Sequence, residues 1–96
     1  EEFCIILPET NLVSSLKFSE KIRKLVEEKV FIINYHSIKI NISLGIAYYS
    51  SKMSPITLKE LLVLADKALY ISKETGRNKT SYFKQENEVG DLNEYN

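Results

Sequence analysis

Cysteine occurs once in the 96 residues, at Cys4, so no internal disulfide can brace the fold, and a lone thiol inside an apolar run fits a reducing compartment. Neither sign of charge is in excess. The 13 lysines and arginines are matched by 13 aspartates and glutamates, which gives no signature of a protein that binds nucleic acid or a membrane surface. No apolar run approaches the roughly 20 residues that cross a bilayer, and these residues hold no charged-then-apolar leader before a cleavage site. Internal repeats and low-complexity segments are also missing. The expectation is one small soluble unit in the cytoplasm, without direct membrane contact. A chain this short buries a smaller share of its surface than a larger domain does, so its core must be economical or be completed by something else. It opens on Glu1-Glu2-Phe3 with no initiator methionine and passes straight into Cys4-Ile5-Ile6-Leu7, so the further expectation is a chain that begins in mid-structure.

What is present is a mixed pattern. Phe3 to Leu7 is a continuous apolar run stopped by Pro8, the pattern of a short strand buried on both faces. Thr10 or Asn11 can cap a following helix, in which Leu12, Leu16, Ile22, Leu25 and Val26 form the apolar stripe. Glu20 with Lys24, and Arg23 with Glu27, stand four apart as dispensable surface pairs. Val30 to Tyr35 is β-branched and aromatic and reads as extended, with His36 in a loop. From Ile38 to Tyr49 apolar and small or polar residues alternate as in one strand, with an apolar face for helices and a second face that something approaches closely or that meets solvent. Thr57-Leu58-Lys59-Glu60 has capping-box spacing and opens a second helix, whose packed stripe is Leu58, Leu61, Leu62, Ala65, Ala68, Leu69 and Ser72. Gly76 is read as that helix's left-handed cap rather than as a phosphate-loop glycine. Lys79 to Phe83 reads as a last strand, and residues 84–96 as a mobile polar tail. The fold class is an α/β (α+β) sandwich, a sheet flanked by helices.

Three stretches together resemble the second half of the GGDEF family, the catalytic module of diguanylate cyclases. They are Glu1-Glu2-Phe3 running into Cys4-Ile5-Ile6-Leu7-Pro8, then Ile42-Ser43-Leu44-Gly45-Ile46-Ala47, then Ala65-Asp66-Lys67-Ala68-Leu69-Tyr70 leading through Lys73 to Gly76-Arg77-Asn78. Order and spacing agree over residues 1–83. Asn41 and Ser72 depart from the usual threonine and alanine, at positions not expected to touch nucleotide. The resemblance implies a partial nucleotidyl-cyclase or palm-like fold with its N-terminal half missing. The family's signature glycines, an upstream metal-binding aspartate, the guanine-recognising residues and an inhibitory Arg-x-x-Asp site would all precede residue 1.

The resemblance also implies chemistry, the condensation of two GTP into cyclic di-GMP for bacterial signalling by two such domains facing one another. Glu1 is then a magnesium or manganese ligand and the catalytic residue that assists deprotonation, and Glu2 a ligand of a second metal ion. Composition alone gives only two exposed acids at a chain end. Lys73 and Arg77, four apart across a helix end, are implied to hold the terminal phosphates, Arg as a planar fork and Lys as a point charge. Their other reading is that they offset the helix dipole. Asp66 is left to a local structural contact. Tyr48, Tyr49 and Tyr70 lack the interleaved basic residues of a nucleic-acid platform. The fragment itself is expected to be inactive, to self-associate through apolar surface left uncovered, and to belong to a parent that a membrane sensor can tether. The alternative is a degenerate GGDEF domain that binds GTP or cyclic di-GMP, or dimerises, and regulates an attached module; relatives of the polymerase palm are more remote.

Overall fold

The computed structural model describes residues 1–85 and 88–91. Among them the chain forms helix α1 (Leu12–Glu28), strands β1 (Phe31–Ile33), β2 (His36–Ile38) and β3 (Leu44–Ala47), helix α2 (Leu58–Glu74), and strands β4 (Thr80–Gln85) and β5 (Glu88–Asp91). No helix among the described residues is long and apolar enough to cross a membrane.

Local chemistry sets the helix ends. Asn11 rather than Thr10 caps α1, its side chain accepting the Ser14 N–H at 2.8 Å. α2 begins with a reciprocal capping box, in which Thr57 Oγ1 accepts the Glu60 N–H and Glu60 Oε1 accepts the Thr57 N–H, both at 3.0 Å. The hydrogen bond from the Thr57 backbone, followed by that from its side chain, holds the Glu60 carboxyl below its ordinary range.

The two helices lie on opposite faces of one sheet, ordered β3-β4-β5. β3 and β4 are parallel, Leu44 opposite Thr80 and Ala47 opposite Phe83, so the chain must cross over between them, and α2 is that crossover. Side-chain alternation then sorts the residues. Ile46, Tyr48 and Tyr82 pack with Leu12 and Leu16 of α1, the apolar core. Complete burial of a leucine such as Leu16 is worth about 1.5–3 kcal/mol over leaving it exposed. On the other face, a Cβ built on Gly45 would overlap the backbone of Ala65 and Leu69, so the glycine is what lets α2 lie directly on the strand. Ala68 and Ser72 are buried there, and Ser72 Oγ donates to the Leu44 carbonyl at 2.7 Å with Ser81 Oγ 2.8 Å away. The close approach expected for the second face of this strand is thus made by α2.

Several expectations are corrected. The alternating segment from Ile38 to Tyr49 is not one strand. Only its first residue, Ile38, lies in β2, which pairs antiparallel with β1 across Asn34 and Tyr35; residues 39–43 form no strand, and Leu44–Ala47 form β3, which pairs with β4. Asn34 and Tyr35 have φ of 51° and 68°, the positive pair that a two-residue type I′ hairpin requires. His36, expected in a loop, opens β2. Phe3 to Leu7 forms no strand, and Phe3, Ile5 and Ile6 are exposed, Phe3 at 91%. A strand buried on both faces needs sheet neighbours for its N–H and C=O groups, and no described strand pairs with this run. The buried side of α1 is Leu12, Ser15, Leu16 and Ser19; Leu25 is exposed because at 100° per residue it falls well outside the face they share. Leu58 and Leu62 of α2 are exposed as well. In place of a tail from residue 84, β4 runs to Gln85 and β5 returns antiparallel to it, because an open edge of β4 offers a ladder for the returning chain. The rest of that expectation, residues 86–87 and 92–96, lies outside the described residues.

Candidate functional site

The C-terminal end of α2 is built by the chain around it. Thr75, the C-cap residue, sends its backbone N–H to the Ile71 carbonyl at 2.9 Å and its hydroxyl to the same oxygen at 2.6 Å. The Arg77 N–H reaches back to the Ser72 carbonyl at 2.8 Å, the longer bond of a Schellman ending. Gly76 between them has φ 126°, which a side chain would oppose, while a Cβ there would meet no neighbouring atom. Its role is therefore conformational, as the cap reading has it. Lys79 Nζ donates to the Thr75 carbonyl at 2.9 Å, so a cation does compensate the exposed end of this helix. That task does not fall to Lys73 or Arg77 alone.

Next to this cap the chain makes two left-handed residues in succession, Arg77 at φ 60° and Asn78 at φ 50°. Asn78 is fastened on every side. Its N–H donates to Ser43 Oγ at 3.2 Å, its Oδ1 accepts from Arg23 Nη1 at 2.9 Å, and its Nδ2 donates to the Glu27 carboxylate. Arg23 is in turn held by a two-pronged bond to Glu20, Nε to Oε2 at 2.7 Å and Nη2 to Oε1 at 2.9 Å, and Thr80 Oγ1 donates to the same carboxylate at 3.3 Å. The Arg23 hydrogen bond holds the Glu20 carboxyl below its ordinary range against the opposing pull of burial, and the same bond raises the Arg23 guanidinium. Among the described residues no buried side-chain nitrogen or oxygen lacks a hydrogen-bond partner. Arg23 and Glu20 are thus not the dispensable surface charges expected: their side chains are only 13% and 14% exposed, and Arg23 pairs with Glu20 more closely than with Glu27, at 3.7 Å. Asn78, Arg23 and Glu20 were not recognised as site residues in the sequence. The available signal was the continuation of the Leu12, Leu16, Ser19 stripe of α1 into Glu20, Arg23 and Glu27, which marks them as facing the sheet.

Of the four residues expected at the site, the structure joins two. Lys73 Nζ donates to Glu2 Oε2 at 3.1 Å, bringing the acids that open the chain to the end of α2. Both side chains are partly exposed, so the pair is worth at most about 1 kcal/mol. Glu1 lies beside Glu2 and Arg77 one turn beyond Lys73; both are exposed, and no hydrogen bond or ion pair ties either side chain to another described residue. Asp66, expected to make a local contact, is likewise exposed and without one. No group of three His, Cys, Asp or Glu side chains able to hold a metal ion forms among the described residues. Two adjacent exposed carboxylates are nevertheless hard oxygen donors, and they fit a magnesium or manganese ion as a partial ligand set of the kind that substrate phosphates complete. The arrangement can do two things: offer carboxylate oxygens to a cation, and offer an ammonium and a guanidinium to an anion.

Comparison with known proteins gives this geometry a context. The family model described as "Diguanylate cyclase, GGDEF domain" matches residues 1–79. "Diguanylate cyclase A" of Treponema denticola is 37% identical over 84 residues, covering 88% of this chain and 22% of that protein. "Probable diguanylate cyclase DgcF" of Escherichia coli K12 is 39% identical over 93 residues, 93% of this chain and 29% of that protein. "Diguanylate cyclase DosC" of the same strain is 34% identical over 85 residues, 88% of this chain and 18% of that protein. The chain therefore spans between 18% and 29% of the length of these relatives.

Proposed function

Because the chain belongs to the GGDEF domain family, we propose that it forms one side of the active site of a diguanylate cyclase, an enzyme that condenses two GTP into cyclic di-GMP. The observation that carries this reading is the Lys73–Glu2 contact, which sets the two charged ends of the family match side by side. In this reading Lys73 and Arg77 bind the β- and γ-phosphates of GTP, the guanidinium by a planar fork and the ammonium as a point charge. Glu2 releases Lys73 as the nucleotide enters, an exchange made cheap by the exposure of the pair. Glu1 and Glu2 hold divalent metal, and Glu1 assists removal of the 3′-hydroxyl proton. Magnesium or manganese, when bound, lowers the pKa of the attacking hydroxyl and stabilises charge on the phosphoryl oxygens. Each step forms a bond from a ribose 3′-oxygen to the α-phosphorus of the opposing GTP and breaks the α–β phosphoanhydride, with pyrophosphate leaving. Two domains facing one another supply the two nucleotides, so self-association belongs to the mechanism.

The domain would adopt the palm-like arrangement of nucleotidyl cyclases and work in the cytoplasm, where GTP is available. The 96 residues by themselves supply two carboxylates and two cations, and we expect them to form no product alone.

The test is incubation of the protein carrying these residues with GTP and magnesium, with chromatographic detection of cyclic di-GMP. Product that disappears in Glu1→Gln and falls strongly in Arg77→Ala supports the reading. Tight GTP or cyclic di-GMP binding with no product would replace it with a regulatory domain that senses nucleotide without converting it. An absence of both binding and product would end the nucleotide reading.

A further inference from the structure

Arg77 presents its guanidinium from a backbone conformation that most side chains avoid, and the next residue shares it. Asparagine tolerates this region, whereas arginine has no local hydrogen bond of its own to favour it. Something else must fix the turn. The Gly76 cap holds its first half through the Arg77 N–H. The second half is fixed by Asn78, whose backbone N–H, amide oxygen and amide nitrogen are each bound, to Ser43, Arg23 and Glu27. Two of those three partners belong to α1, which packs on the face of the sheet opposite α2. Arg23 is itself locked by both oxygens of Glu20, and its guanidinium also lies 3.5 Å from the Asn78 carbonyl.

A largely buried ion pair of this kind adds little net stability over apolar residues of the same shape. What it does add is a fixed direction and distance. We propose that Asn78, clamped by Arg23 and Glu27 of α1, is the positioning residue for Arg77, so that a helix on the far face of the sheet sets where the anion-binding guanidinium stands. This rests on the reading of Arg77 as a phosphate ligand and extends it to residues that touch no nucleotide.

The experiment is a double-mutant cycle on GTP affinity, measured by calorimetric titration in the presence of magnesium on the protein carrying these residues. Asn78→Gly removes the tether but keeps the left-handed backbone accessible, because glycine adopts positive φ freely. Arg77→Ala removes the ligand. Each single variant is expected to weaken GTP binding by about tenfold, the scale of one charge-assisted hydrogen bond. The double variant is expected to bind within about twofold of Arg77→Ala alone, since residues acting as one unit are not additive.

A rescue separates this from a general loss of fold. Asn78→Asp places a carboxylate against Glu27 and is expected to weaken binding by about tenfold through like-charge repulsion, and Glu27→Gln added to it restores a donor and most of the affinity. Wild-type GTP affinity in Asn78→Gly, or a loss that adds in full to Arg77→Ala, would overturn the positioning role while leaving the phosphate reading intact. Unchanged affinity in Arg77→Ala would remove the phosphate reading and this proposal with it.

Discussion

The two segments that carry the site's charges are held by opposite means. Lys73 and Arg77 stand on a helix end fixed by a capping turn, a left-handed glycine and a polar cluster that crosses to the other helix. Glu1 and Glu2 stand on a run with no strand partner among the described residues, tied to the rest by one exposed ion pair. The backbone that carries Lys73 and Arg77 is therefore fixed by contacts within this chain. The acidic side is placed only as far as Lys73 places it. On the proposed reading, in which the carboxylates would hold metal and the cations would hold nucleotide phosphates, this asymmetry is tolerable, because metal and phosphates complete one another's ligand sets.

The contrast predicts where damage will be felt. Gly45→Val should do most harm to the anchored side, since its side chain would overlap the Ala65 and Leu69 backbone and push α2 off the sheet. A loss of about 3 kcal/mol or more is expected from such overpacking, measured by urea unfolding. Wild-type stability would show that α2 is not pressed against β3. Gly76→Ala should cost about 2 kcal/mol by forcing a side chain to φ 126° with nothing to contact, and the melting temperature reports it.

Acid should act next. The Glu20 carboxyl titrates below its ordinary 4.5 in the folded chain, so the unfolded chain binds the proton first as pH falls. Its stabilisation is complete above about pH 4.5 and is lost as pH drops through the folded value. The difference in melting temperature between the wild type and Glu20→Gln should be constant at neutral pH and shrink in acid; a difference that grows in acid would contradict the Arg23 pairing. The smallest effect on folding belongs to the loosely held side. Glu2→Gln breaks the Lys73 contact and should change stability by no more than about 1 kcal/mol. A larger loss would mean that the opening segment is anchored better than its exposure indicates.

Much of the fold was legible where the partners are near in sequence. The Thr57-x-x-Glu60 box and the Gly76 cap were read correctly because each is complete within about one helical turn. The hairpin between β1 and β2 was missed because its turn is Asn34-Tyr35, without the glycine that usually announces positive φ. The single strand drawn from Ile38 to Tyr49 followed a true alternation, but alternation does not say which residues will find a partner strand, and here Leu44–Ala47 do while residues 39–43 do not. At the site, the family motifs named Glu1, Glu2, Lys73 and Arg77 but not the ion pair between Lys73 and Glu2, and they gave no sign of the Arg23–Asn78 bond.

The sequence by itself determined both ends of α2 and the family to which the chain belongs, since these depend on neighbouring residues or on motifs read in order. Only the tertiary structure decided which side of α1 is buried, that Phe3 to Leu7 pairs with no strand among the described residues, and that Arg23 crosses to Asn78. Burial and hydrogen bonding depend on what arrives from elsewhere in the chain, here from 55 residues away, and a local pattern carries no record of that encounter.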